Sequence, residues 1–171
     1  YYSLANELGV EAIYDFMMPL GFGQITGIDI NGEVRGVLPN QQWKRNNYKK
    51  PEQQKWYAGE TISLGIGQGY NAFTMLQLAQ ATAVLAANGI KHKPRLILGT
   101  QDSVTRALVP AVIEPPEDLN YKPDNVEVVR RAMVSVTQDG TSARVFAGAS
   151  YLSGGKTGTA QAVSVGQKEK Y

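Results

Sequence analysis

The chain has 171 residues, with 17 Lys and Arg against 15 Asp and Glu for a net charge of +2. That is long enough for one domain with its own core and too evenly charged for a nucleic-acid binder or a polybasic membrane segment. Hydrophobic residues make up 43% and charged residues 19%, the balance of a folded chain; with no Cys and a single His, His92, disulfides, thiolate metal sites, Cys nucleophiles and multi-His metal centres are excluded and a Ser-His-Asp triad is disfavoured.

Leu4, Ala5 and Leu8 lie on one helical stripe that Gly9 can end in the left-handed conformation. Val10, Ile13, Phe16 and Met17 form a second short stripe, stopped by Pro19 and Gly21. Between Gly21 and Pro39, glycines at 21, 23, 27, 32 and 36 break any helical period and predict turns, with short extended pieces around Ile28-Asp29-Ile30. The polar, basic run from Gln41 to Lys55 reads as a solvated surface segment.

The strongest helix is predicted over Thr74–Ala87. Thr74 and Gln77 form a capping box. Met75, Leu78, Leu85 and alanines at 79, 81, 83, 86 and 87 make it apolar nearly all round, which predicts burial. Asn88-Gly89 ends it. Pro94–Leu98 and Ala107–Ile113 read as the two strands of a hairpin around Gln101-Asp102-Ser103. The prolines at 115, 116 and 123 mark a connector. Asp124 and Glu127 suggest a second capping box before a helix carrying Val126, Val129, Met133 and Val136, with Glu127 and Arg131 paired and Gly140 at its end. A short helical turn is expected over Ser142–Phe146, and a Gly- and Thr-rich strand over Leu152–Val165.

Three motifs bear on chemistry. Gly65, Gly67 and Gly69 precede the Thr74 helix, but Tyr70 stands where a dinucleotide fingerprint needs its third Gly; a tight turn that lets backbone pack close to a neighbour fits better. Gly155-Lys156-Thr157 ends like a phosphate-binding loop, yet Ser150 replaces its first Gly and the following residues favour extended chain. A P-loop-like nucleotide binder is therefore the alternative. Ser153 and Lys156 satisfy Ser-x-x-Lys in form, but Gly154-Gly155 disfavours the helical turn such a pair needs. On an extended edge, Lys156-Thr157-Gly158-Thr159 instead offers an ammonium, two hydroxyls and backbone amides to an extended, carboxylate-bearing substrate. Gly158 lets that substrate lie close. His92, among Lys91, Lys93 and Arg95, and Arg144 both read as surface residues.

Taken together, the residues resemble one family. Gly155-Lys156-Thr157-Gly158-Thr159-Ala160-Gln161 is similar to the third motif of the penicillin-binding proteins. Gly21-Phe22-Gly23 with Thr26-Gly27-Ile28-Asp29, then Gly67-Gln68-Gly69-Tyr70, Thr74-Met75-Leu76-Gln77-Leu78-Ala79 and Ala86-Ala87-Asn88-Gly89 follow in the family's order. Leu38-Pro39, Trp43 and Trp56-Tyr57-Ala58-Gly59-Glu60-Thr61 resemble the elongation-type class B members.

The resemblance implies an α+β fold of the β-lactamase/transpeptidase type, an antiparallel sheet flanked by helices, with residues 1–171 an incomplete C-terminal portion of one transpeptidase domain. It implies cross-linking of peptidoglycan stem peptides through a serine acyl-enzyme, and inhibition by β-lactam antibiotics. Lys156, Thr157, Gly158 and Thr159 would bind the substrate, Lys156 would also tune proton transfer, and the Thr159 amide would be one arm of the oxyanion hole. No cofactor, metal or nucleic acid is implied. The implied partners are the missing N-terminal half of the domain and other cell-wall elongation proteins. The implied setting is the periplasm, with an inner-membrane anchor outside this chain. The helical Ser-x-x-Lys and the second motif expected just before Tyr1-Tyr2 are absent from these residues. No apolar run approaches the roughly 20 residues of a membrane span. The sequence reads as a piece of a longer protein, without a nucleophile and inactive alone. A penicillin-binding-like scaffold without catalysis is the non-enzymatic alternative.

Overall fold

A computed structural model describes residues 1–159. The elements run α1 (Tyr2–Met17), α2 (Gln41–Asn47), α3 (Pro51–Gln54), α4 (Ala58–Leu64), α5 (Met75–Ala86), β1 (Ile90–Lys91), β2 (Gly99–Gln101), β3 (Leu108–Pro110), β4 (Glu117–Asp118), α6 (Pro123–Gln138) and α7 (Ala143–Phe146). Among the described residues the strands form two separate antiparallel ladders, β1 with β4 and β2 with β3. No helix among them is long and apolar enough to cross a membrane.

The two predicted stripes of α1 meet at Gly9, whose φ of 77° and ψ of 161° interrupt the helix. That combination suits only glycine. Ala5 and Val10, one on each side of the kink, are the buried residues of α1. Gly65, the C-cap of α4, sits so close to α1 that a Cβ there would lie 2.2 Å from the Ala5 Cβ. Gly67 and Gly69 follow with φ of 78° and 72°. This Gly-rich run is thus a turn that lets two backbones approach, as the spacing suggested.

Helix α5 is the centre of the structure. Thr74 accepts from the Gln77 amide at 3.1 Å and Gln77 Oε1 from the Thr74 amide at 3.3 Å, the predicted capping box. Its burial differs from the expectation. The side chains facing inward are Gln77, Gln80, Ala81 and Val84, whereas Met75 is 76% and Leu78 40% exposed. Gln77 is inside because the loop from 21 to 39 needs it. Gln77 Nε2 donates to Gln24 O and to Arg35 O, each at 2.6 Å. The Val37–Ala72 bridge closes the same loop. Leu20, Phe22, Leu38, Ala81 and Val84 then form the core, with Tyr14, Met17, Phe73, Leu119 and Tyr121 around it.

The loop holds no strand at Ile28–Ile30. Asp29 instead accepts from the Leu96 and Ile97 amides, both at 2.7 Å. The amide of Ile97 and then that of Leu96 hold its carboxyl below the usual range. The predicted hairpin is present, but its ladder is β2 with β3, Thr100 opposite Val109, and Pro94–Leu98 lies outside it. Asp102 organises the turn by accepting from the Val104 and Thr105 amides.

The segment read as a solvated surface is largely exposed, as expected, with one correction at its centre. It contains α2 and α3, and Lys44 is only 3% exposed. Lys44 Nζ donates to Glu60 Oε1, paired closely with it, and to Lys55 O at 2.7 Å. The rings of Trp56, Tyr57 and Tyr70 lie 5.3–5.7 Å from the ammonium, within cation–π range. Glu60 also accepts from the Tyr70 hydroxyl at 2.9 Å and the Tyr57 amide at 2.8 Å. Burial works to raise the Glu60 pKa, but Lys44, Tyr57 and Tyr70 together hold it below the ordinary value. Burial, and then the bond to Glu60, push the Tyr70 phenol up.

The second capping box is also corrected. Helix α6 starts from Lys122 with Pro123 at its first position and no side-chain cap, because proline presets the helical φ and lacks the orphan amide. Glu127 turns to Arg131 instead, at 2.8 Å, as the spacing suggested.

Two stability predictions follow from these buried polar groups. Gln77→Leu removes the donor for two carbonyls and the acceptor for one amide, and is expected to cost about 3 kcal/mol by urea unfolding; a cost near zero would mean the loop is held by other contacts. Glu60→Gln leaves the Lys44 ammonium buried without its carboxylate and should also cost about 3 kcal/mol near neutral pH. Because the folded Glu60 pKa is depressed, the wild-type advantage is fully present above the unfolded carboxylate pKa and lost as pH falls through the folded one. The two unfolding curves should therefore converge in acid.

Candidate functional site

The candidate site grows out of the end of α6. Asp139 and Gly140 amides both donate to Ser135 O, at 3.0 and 2.8 Å, and Ser142 N donates to Val136 O at 2.9 Å. A Cβ at Gly140 would lie 2.8 Å from the Val136 Cα, so only glycine fits this tight exit. The short helix α7 follows, and the chain turns at Gly148, with φ of 83°, to run back along α6.

Contact with α6 is made at Ser153–Gly155. The Thr137 hydroxyl donates to Ser153 O at 2.6 Å, and the Gly155 amide donates to Met133 O at 3.0 Å. Gly154 faces the α6 backbone, where a Cβ would already touch Met133 and Val134 at 3.4 Å. Beyond this anchorage Lys156, Thr157, Gly158 and Thr159 are exposed. A Cβ at Gly155 or Gly158 would meet nothing within 4 Å, so the outer side of the segment is open. Lys156 Nζ donates to Thr157 O at 2.5 Å.

The four residues singled out in the sequence therefore share one exposed stretch, fixed at its start and open along its length. Chemically it presents an ammonium and two hydroxyls on a backbone that something can approach closely at Gly158. The expected strand over Leu152–Val165 differs in part: Leu152–Thr159 pairs with no strand among the described residues, and Ala160–Val165 lies outside them, as does Gln161 of the motif.

The competing motifs separate on geometry. No helix opens at Lys156 within the described residues, so a phosphate-binding loop lacks the helix N-terminus that it needs. The same absence of helix over 152–159 takes Ser153 and Lys156 off any common helical turn. His92 is exposed, as expected, beside a cavity of about 450 Å³ whose walls include Asp29, Lys93, Arg95 and Glu114. Arg144 is exposed on α7. No group of three or more metal-ligating side chains occurs among the described residues. What the sequence did not disclose is Thr137. A Thr inside a helix carries no signal of its own, and only the return of the chain to α6 gives it a task.

Comparison with known proteins agrees across the whole chain. The sequence profile of the penicillin binding protein transpeptidase domain matches residues 1–171. The peptidoglycan D,D-transpeptidase MrdA of Haemophilus influenzae is 39% identical over 180 residues, covering 100% of this chain and 26% of that protein. The chain thus spans about a quarter of the length of the curated relatives it matches. Among solved structures, Pseudomonas aeruginosa PBP2 in complex with WCK 5153 superposes with a TM-score of 0.79 at 38% identity, covering 94% of this chain and 35% of that one. A chain of a peptidoglycan synthase complex that coordinates polymerization and crosslinking superposes with a TM-score of 0.73 at 31% identity, covering 88% of this chain and 23% of that one. The helices and small antiparallel ladders described above are part of the transpeptidase fold that these structures share.

Proposed function

Because the chain belongs to the penicillin-binding protein transpeptidase family, we propose that residues 1–171 are the C-terminal part of one transpeptidase domain, of the elongation type, in a longer peptidoglycan D,D-transpeptidase. The observation that supports this most is the Lys156–Thr159 stretch, anchored to α6 at Gly155 and open on its outer side.

In this role the Lys156 ammonium and the Thr157 and Thr159 hydroxyls hold the carboxylate of a stem peptide or a β-lactam. Gly158 lets the acyl donor lie against the backbone. The Thr159 amide donates to the oxyanion of the tetrahedral intermediate, an interaction that strengthens as charge develops and so lowers the barrier. Lys156, beside the reacting atoms, also raises the local positive potential and favours loss of the serine proton. The nucleophile and its base, a helical Ser-x-x-Lys, come from the rest of the domain. This acyl transfer uses neither metal nor cofactor.

The partners proposed are peptidoglycan stem peptides, β-lactam antibiotics, the remainder of the same domain, and other cell-wall elongation proteins. The similarity to a chain of a peptidoglycan synthase complex favours a glycan-polymerising enzyme among the last. The proposed location is the periplasm, with the membrane anchor supplied by another part of the polypeptide.

Labelling with a fluorescent penicillin tests the proposal. A longer protein that contains this chain and the rest of the domain should form a covalent adduct, and the 171-residue chain alone should not. Lys156→Ala in the longer protein should slow acylation about 10- to 100-fold, the size of a lost charge-assisted contact. Labelling of the short chain would implicate Ser153 and overturn the half-site assignment. A longer protein that is folded but never labels would instead be a scaffold.

A further inference from the structure

We infer that Thr137 is a positioning residue for the Lys156–Thr159 stretch, acting with the Met133 carbonyl as a two-point clamp on the segment that enters it; the inference rests on the proposed role of that stretch. The Thr137 side chain lies inside, with the residue only 6% exposed. Its single hydroxyl proton faces two carbonyls, Ser153 O at 2.6 Å and Val134 O at 2.9 Å. The second bond lies within α6 and does nothing for the site. The first, the shorter, reaches across to the returning chain. Two residues on, the Gly155 amide donates to Met133 O at 3.0 Å.

The clamp answers a problem that the sequence creates. Gly154 and Gly155 have no side chains and give the backbone more freedom than any other pair would. Gly154 lies against the α6 backbone, where a Cβ would just touch at 3.4 Å, and a Cβ at Gly155 would meet nothing within 4 Å. Left unheld, they would let Lys156 swing through many orientations. With Ser153 O and Gly155 N both tied to α6, the peptide planes on either side of Gly154 are fixed. The chain therefore enters Gly155 from one fixed position and direction, which narrows the space that Lys156 and the backbone towards the Thr159 amide can sample. An oxyanion donor contributes only when its position is set beforehand. Thr137 therefore acts on the chemistry through the backbone, without touching the substrate.

The test uses the longer protein, with Thr137→Val, Thr137→Ser and, as a control on the same helix, Asp124→Asn. Asp124 is exposed in the first turn of α6, at the opposite end of the helix from Thr137. Thr137→Val keeps the shape and deletes the hydroxyl. It should lower the acylation rate constant for a fluorescent penicillin about tenfold, the equivalent of one lost buried hydrogen bond, while the binding constant moves much less. Thr137→Ser should recover most of the rate, and Asp124→Asn should leave it unchanged. Amide hydrogen exchange at Gly155 should quicken about tenfold in Thr137→Val alone. Wild-type acylation and exchange in Thr137→Val would overturn the inference. So would equal losses in the Val and Ser variants that track their melting temperatures. If the wild-type longer protein never labels, the proposed function fails, whereas the exchange comparison still decides whether Thr137 holds the segment.

Discussion

One carboxamide sets the geometry of the middle of this protein. The Gln77 side chain is entirely buried, and its amide nitrogen donates to Gln24 O and Arg35 O while its oxygen caps α5 at Thr74. A glycine-rich loop has little apolar surface with which to hold itself in place. Here its carbonyls are satisfied by a helix instead, which converts a flexible stretch into one wall of the core. Leu20, Phe22 and Leu38, which frame that loop, can then meet Ala81 and Val84 on the next turns of the same helix. The buried polar group and the apolar cluster are thus two parts of one arrangement, each useless without the other.

The same logic recurs at two more places. Lys44 and Glu60 join the α2–α3 region to α4, and their partners are aromatic faces and backbone groups rather than solvent. Thr137 joins α6 to the chain that returns along it. In each case a polar side chain on a helix satisfies backbone or charge from an irregular segment. The structure relies on these cross-links because its strands are short: the two ladders pair only two and three residues per strand, too few to organise the loops around them.

Much of this was legible in the sequence where the cause is local. The Thr74–Gln77 box, the halt at Asn88-Gly89, the hairpin around Asp102, the Glu127–Arg131 pair and the turn at Gly65–Gly69 depend on spacing that one stretch of chain displays. What was not legible depends on partners far away in sequence. Gln77 announces its cap, but not the two loop carbonyls more than forty residues distant. Lys44 sits in a polar run that looks solvated, and only the approach of Trp56, Tyr57, Glu60 and Tyr70 buries it. Pro123 displaced the expected Asp124 cap because its own geometry already starts a helix. At the site, the Lys156–Thr159 motif could be quoted directly. The resemblance to a family gave that stretch its meaning; the contact of Thr137 with the chain that enters it belongs to the tertiary fold alone.

The enclosure of Lys44 has a chemical consequence of its own. Its ammonium is wrapped by three rings, a carboxylate and a carbonyl, with the side chain only 4% exposed, while Lys49, Lys50 and Lys55 nearby are open to solvent. Amine-directed reagents need an accessible amine, and Lys44 is closed to them while its carboxylate partner and the rings stay in place. Its modification is therefore governed by local opening of the α2–α4 region. A single lysine among reactive neighbours becomes a built-in clock for how often α2 and α4 part.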